Sequence, residues 1–191
     1  ILKPSERDPS VPVRLAELLK EAGLPDGVLQ VVQGDKEVVD AILDHPEIKA
    51  VSFVGSTDIA AYVYERGAAN GKRMQCMGGA KNHAIVMPDA DLDHVVNEVL
   101  GAAYGSAGQR CMALPVVVPV GQATADALRA RLEAAIPQLK VGVSTDPAAD
   151  YGPVVSAAHK QRIEDYVQLA LDEGSEVVID GRGFELEGHE Q

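Results

Sequence analysis

Cys111 closes the run Gly105-Ser106-Ala107-Gly108-Gln109-Arg110-Cys111, which follows a helical pattern and precedes an apolar, strand-like stretch. A cysteine in so tight and glycine-punctuated a turn can bring its sulfur to a substrate. The adjacent Arg110 cation favours the thiolate, the form that attacks carbon. The competing reading is a buried structural cysteine, and residue chemistry alone leaves that reading ahead. The second cysteine, Cys76, lies beside Met77 in a strand pattern where neighbours point to opposite faces, so it reads as an inert core residue.

A second constellation is Phe53-Val54-Gly55-Ser56-Thr57, which leads from a strand into a helix. Free backbone N–H groups and a hydroxyl at a helix N-terminus suit a phosphate. Ser56 or Thr57 acting only as a helix cap explains the same residues, and the dinucleotide fingerprint G-x-G-x-x-G is absent. The acidic run Asp89-Ala90-Asp91-Leu92-Asp93 fails the calcium-loop template, with His94 at the sixth position and Leu100 at the twelfth. It reads as a helix start. His45, His83, His94, His159 and His189 lack metal-ligand spacing, so no metal site is expected.

These residues need elements to hold them. Helical spacing of Leu15, Leu18, Leu19 and Ala22 predicts a helix capped by Ser10 and closed by Gly23. Val28 to Val32 predicts a strand, and Asp35 caps a following helix with Val38, Val39, Ile42 and Leu43 on one face. Ala50 to Val54 is the next strand, a helix runs from Gly55-Ser56-Thr57 to about Ala69, and Arg73 to Met77 is a further strand. After Gly78-Gly79-Ala80 the pattern restarts: strand from His83 to Met87, helix from Asp91 to about Ala107, strand from Ala113 to Val120, helices from Ala123 to Ile136 and from Ser156 to about Glu173, and a strand from Glu176 to Ile179. Such alternation predicts an α/β fold, a mostly parallel sheet with helices on both faces. The glycines at 78 and 79 mark the boundary between domains 1–79 and 80–191.

Composition narrows the partners. The chain has 191 residues, of which 46% are hydrophobic, with 17 Lys+Arg against 29 Asp+Glu and a formal net charge of -12. That balance, without a basic cluster, leaves nucleic-acid binding no electrostatic source, so nucleic acid is not an expected partner. No apolar run approaches the roughly 18 residues of a bilayer span, and neither a membrane partner nor a signal peptide is expected. Two cysteines suit a reducing compartment. Ile1-Leu2-Lys3 reads as the tail of a strand already under way, and the chain stops at Glu190-Gln191 with no element closed, which reads as an internal fragment of a longer protein.

Four landmarks, Leu2-Lys3-Pro4-Ser5-Glu6, Phe53-Val54-Gly55-Ser56-Thr57, Gly78-Gly79-Ala80-Lys81-Asn82 and Gly108-Gln109-Arg110-Cys111, occur in an order that resembles the aldehyde dehydrogenases. Gly79-Ala80-Lys81-Asn82-His83 and Gly108-Gln109-Arg110-Cys111-Met112-Ala113-Leu114 look most like the CoA-acylating members that act on methylmalonate and malonate semialdehyde. The resemblance implies the C-terminal part of a Rossmann-type NAD-binding domain over 1–79 and the N-terminal part of an α/β catalytic domain over 80–191. It makes Lys3 and Glu6 contacts to the adenosine ribose of NAD, Gly55 and Ser56 contacts to its pyrophosphate, and Cys111 the nucleophile. The implied chemistry is thiolate addition to an aldehyde, hydride transfer to NAD and a thioester on Cys111.

Thirty-four residues before Cys111, where hydrolytic relatives carry a water-activating glutamate, stands Met77, whose thioether accepts no proton. The expected acyl acceptor is therefore a thiol, coenzyme A, which needs less help from a base than water does. Arg110, a planar bidentate donor, is the expected contact for the carboxylate of a semialdehyde, with a structural ion pair as the competing reading. Decarboxylation of the β-carboxy thioester gives propionyl-CoA or acetyl-CoA. A hydrolytic aldehyde dehydrogenase and a non-catalytic protein keeping the fold for assembly or binding are the rival functions. The resemblance also implies a homotetramer or homodimer, in the cytoplasm or, in a eukaryote, the mitochondrial matrix.

Overall fold

Two parallel strand pairs, each joined by a crossover helix, organise the computed structural model, which describes residues 1–188. His189, Glu190 and Gln191 lie outside the described residues. The chain divides into two units, Ile1–Gly79 and Ala80–Gln191.

The first unit contains α1 (Ser10–Glu21), α2 (Lys36–Asp44), β1 (Ala50–Val54), α3 (Thr57–Ala69) and β2 (Arg73–Met77). β1 and β2 pair in parallel from Ala50↔Arg73 to Val54↔Met77, with α3 as the crossover. Parallel strands cannot be joined by a tight hairpin, so the intervening helix is what makes this pairing reachable. Leu43 of α2 and Val63 of α3 are fully buried. Gly67 lets α3 settle onto the sheet: a Cβ there would stand 2.3 Å from the Met74 sulfur. Lys72 is buried, and its ammonium donates to the carbonyls of His45 at 2.5 Å and Ile48 at 2.7 Å, tying the turn before β1 to the start of β2.

The second unit contains β3 (His83–Val86), α4 (Leu92–Tyr104), β4 (Val116–Pro119), α5 (Gln122–Ala135) and α6 (Ala157–Asp172). β3 and β4 run parallel from His83↔Val116 to Val86↔Pro119. Val86, Val96 and Leu128 form its buried centre, with Leu92, Val95, Val117 and Leu132 packed around them. The Asp91 carboxylate accepts the N–H groups of Asp93 and His94 at 3.1 and 3.2 Å. The acidic run is thus a helix cap, as its sequence predicts.

Several expected features differ. Ser10 is the first residue of α1 and makes no side-chain cap bond, and Asp35, at the N-cap of α2, makes none either. Val28 to Val32 contributes only a parallel bridge between Val31 and Leu2, in which Leu2 N–H donates to Gln30 O and Val32 N–H to Leu2 O. The helix expected to reach Ala107 stops at Tyr104, because Ser106 and Ala107 take left-handed φ values of 52° and 51°. Residues 176–179 form no strand; Glu176 instead pairs with Arg129 of α5 at 2.6 Å.

Candidate active site

The Cys111 turn is built from backbone that an ordinary helix end does not supply. Ser106, Ala107 and Gly108 are all left-handed, with Gly108 at φ 72°, and Gln109 N–H donates back to Ser106 O at 2.9 Å. This reverses the chain at the end of α4 and delivers Cys111 to the surface, where its side chain is exposed. Among the described residues Cys111 is thus not the buried cysteine of the competing reading. Such a position leaves the sulfur open to a reagent from solvent.

Three contacts from outside the turn or across it pin this segment. The Asn82 carboxamide donates to Cys111 O at 3.0 Å and Ala113 O at 2.8 Å. Gln109 Oε1 accepts the Val155 N–H at 3.0 Å. Leu114 N–H donates to Ala102 O in α4 at 3.2 Å. The segment 109–114 therefore has fixed partners on three sides although its residues are mostly exposed.

Arg110 is exposed, and its Nε donates to Ser106 Oγ at 3.1 Å. A Cβ on Gly105 would meet its Nη1 at 2.6 Å. Gly105 thus leaves the space the guanidinium occupies. Among the described residues Arg110 forms no ion pair, so the structural ion-pair reading is not what holds it.

In the first unit, Ser56 is the N-cap of α3 in an extended conformation, exposed, and its hydroxyl caps no N–H of the helix. The first helical bond of α3 is Ala60 N–H to Ser56 O, so the preceding amides have no partner within the helix. The Gly55 amide, by contrast, is committed to Met77 O at 3.1 Å. It is not the free donor that the sequence predicts there. Thr57 Oγ1 accepts the Gly79 N–H at 3.0 Å, and a Cβ on Gly78 would stand 3.0 Å from Thr57 Cα. The glycine pair lets the chain after β2 pass against the start of α3.

Lys3 is largely buried; its ammonium donates to Pro4 O and to Gly34 O at 2.8 Å and stands 3.9 Å from the Glu6 carboxylate. Lys3 and Glu6 are thus brought together, as are Gly55 and Ser56 in the turn between β1 and α3. Met77 ends β2 and is exposed. Cys76 is half-buried rather than in the core, and burial pushes its thiol pKa up.

Sequence reasoning missed Asn82 and Ser106 as site residues. Asn82 stands within a quoted motif, but its partners lie 29 and 31 residues away and only the β3–β4 register brings them to it. Among the described residues no group of three His, Cys, Asp or Glu is arranged to hold a metal ion, and no helix is long and apolar enough to cross a membrane.

Comparison with known proteins identifies the family. The aldehyde dehydrogenase family matches residues 1–191. The malonate-semialdehyde dehydrogenase of Pseudomonas aeruginosa is 56% identical over 190 residues, covering 100% of this chain and 38% of the relative. The acylating, mitochondrial methylmalonate-semialdehyde dehydrogenase of Arabidopsis thaliana is 50% identical over 193 residues, covering 100% of this chain and 31% of its own length. A Sinorhizobium meliloti protein assigned to the methylmalonate-semialdehyde dehydrogenases, crystallised with NAD, superposes with a TM-score of 0.93 at 60% identity, over 99% of this chain and 38% of that one. The chain thus spans well under half the length of these relatives. Matched from its first residue to its last, it belongs to the aldehyde dehydrogenase family.

Proposed function

We propose that the full-length protein is a CoA-acylating, NAD-dependent dehydrogenase of malonate or methylmalonate semialdehyde. Residues 1–79 contribute to its NAD-binding domain and residues 80–191 to its catalytic domain. Cys111 is the nucleophile: its thiolate adds to the aldehyde carbon, and loss of hydride leaves an acyl thioester on the sulfur. NAD, when bound, supplies the hydride acceptor. Arg110 holds the substrate carboxylate through the fork of its guanidinium.

The residues of the first unit suit a dinucleotide. The Ser56 hydroxyl and the unpartnered amides of α3 offer donors to a pyrophosphate at the positive end of a 13-residue helix. Gly55 acts through its lack of a side chain, since its own N–H is engaged by Met77 O. Lys3, anchored by two carbonyls and flanked by Glu6, offers the ribose a donor and an acceptor side by side.

Met77 carries the choice of acceptor. It stands exposed at the end of β2, where the hydrolytic members of the family carry glutamate. A thioether cannot take a proton from water, whereas the thiol of CoA ionises at a far lower pH than water and needs little assistance. The thioester carbonyl also takes up the electrons released when a β-carboxylate leaves as CO2, so the products are acetyl-CoA or propionyl-CoA.

The similarity to the relatives above supports the same site in a homo-oligomer working in the cytoplasm, or the mitochondrial matrix in a eukaryote. The test is NADH production by the full-length protein with and without CoA. A single turnover without CoA and sustained turnover with it is the expected result. Rapid sustained turnover without CoA would return the protein to the hydrolytic class, and parental turnover by a Cys111→Ala variant would overturn the covalent mechanism.

A further inference from the structure

We infer that Asn82 is the positioning residue of Cys111, its carboxamide fixing the turn from which the thiol attacks. The inference rests on Cys111 being the nucleophile. Asn82 immediately precedes β3, and the parallel register of His83 against Val116 lays it beside the segment that leads into β4. One planar amide group there donates to two carbonyls two residues apart, Cys111 O at 3.0 Å and Ala113 O at 2.8 Å. Two donors fixed in one plane set both the place and the rotation of the backbone between those carbonyls.

Cys111 is exposed and Met112 is 81% exposed, so packing does not order them. Among the described residues no other side chain hydrogen-bonds the backbone of 111–113; Ala113 N–H closes only a local turn on Arg110 O. The thiol must meet an aldehyde carbon in a narrow range of distance and angle, and small displacements of a reacting group are costly. Among the described residues Asn82 bonds the Cys111 main chain and not its sulfur. It acts by holding the main chain that carries the sulfur.

The test uses the full-length enzyme. Asn82→Asp keeps the shape but presents acceptors to two carbonyl oxygens. It should lower kcat roughly 10- to 100-fold, while KM for NAD moves by less than about threefold. Asn82→Ser, with one donor left, should recover part of the lost kcat. A parental thermal melt separates misplacement from misfolding, and iodoacetamide uptake at Cys111 counts the reactive sites: a parental melt and full labelling with low kcat per labelled site is the expected outcome. Should Asn82→Asp give no folded protein, Asn82→Ala carries the same comparison. Parental kcat per labelled site in the Asp or Ala variant overturns the inference, as does a Ser variant no better than Asp. Parental NADH production by Cys111→Ala would overturn both this inference and the proposed nucleophile. An inactive Cys111→Ala beside a fully active Asn82→Asp would overturn this inference alone.

Discussion

Arg110 is aimed by Ser106: its Nε donates to the Ser106 hydroxyl at 3.1 Å, and its terminal nitrogens lie against the bare backbone of Gly105. Among the described residues Nη1 and Nη2 donate to nothing else, which leaves them for a carboxylate. Loss of one charge-assisted hydrogen bond costs about 1.5–3 kcal/mol. Arg110→Leu should therefore raise KM for malonate semialdehyde by roughly 10- to 100-fold while leaving propanal within about threefold. Gly105→Ala should show the same pattern more weakly, because its Cβ displaces the guanidinium without removing it. Equal effects on both aldehydes would take Arg110 out of substrate recognition.

Alkylation should discriminate the two thiols. Cys111 is exposed, whereas Cys76 is half-buried and burial raises its thiol pKa, which lowers its thiolate fraction near neutrality. Iodoacetamide at limiting dose, read by peptide mass spectrometry, should label Cys111 first. NADH production should fall in step with that labelling, and Cys76 labelling first would contradict the assignment.

Replacing Met77 by glutamate should put a base where the family's hydrolytic members have one. CoA-independent turnover of Met77→Glu is expected to rise about 10-fold or more over the parent, against the roughly 100- to 10,000-fold that a well-placed base contributes. A variant still confined to one turnover without CoA would show that residue 77 does not govern the choice of acceptor.

The Lys72 ammonium satisfies two carbonyls from a position only 8% exposed. Lys72→Met keeps most of the apolar stem, orphans Ile48 O and leaves His45 O only its bond from Ile48 N–H. Denaturant melts should show a loss of roughly 1–3 kcal/mol, the cost of one acceptor left without a donor. A loss below about 0.5 kcal/mol would place the charge in solvent.

Acid should loosen the α2–α3 contact. Hydrogen bonds from Lys36 and then Tyr62 hold the Asp40 carboxyl below its usual 3.8, and the Arg66 hydrogen bond does the same for Asp44. Because the folded state holds these protons more weakly than the unfolded chain, the stabilisation is complete above the ordinary carboxylate range and is lost as pH falls through the depressed values. Tm should drop between about pH 5 and pH 3, and Arg66→Leu should flatten that slope. Asp44 is exposed and Asp40 only partly shielded, so the effect is modest. An unchanged slope in the variant would show that Arg66 does not set these carboxyls.

How far the sequence carries depends on whether the information is local. β1 and β2 were readable to the residue because each is a short run of alternating burial between Gly, Ser or Asn breaks. The helix between them follows from its capping turn. Val28 to Val32 and residues 176–179 have the same β-branched composition yet form no strand, since a strand needs a neighbour. Val31 finds only Leu2, while Val178 and Ile179 remain substantially exposed. The exposed thiol at 111 was visible as a motif, but not the Asn82 amide behind it, which depends on strand register. Likewise Gly55 is a glycine for its shape, and only the structure shows its amide already taken by Met77.

Ser106 and Ala107 sit in left-handed backbone that residues with a Cβ disfavour by about 1–2 kcal/mol each. Glycine at either place would relax the bend, and the loop would then sample many shapes between encounters with an aldehyde. Alanine and serine there make the loop before Cys111 stiff from the moment the chain folds, so that, with Cys111 as the proposed nucleophile, its ordering entropy is lost once and not again at every turnover.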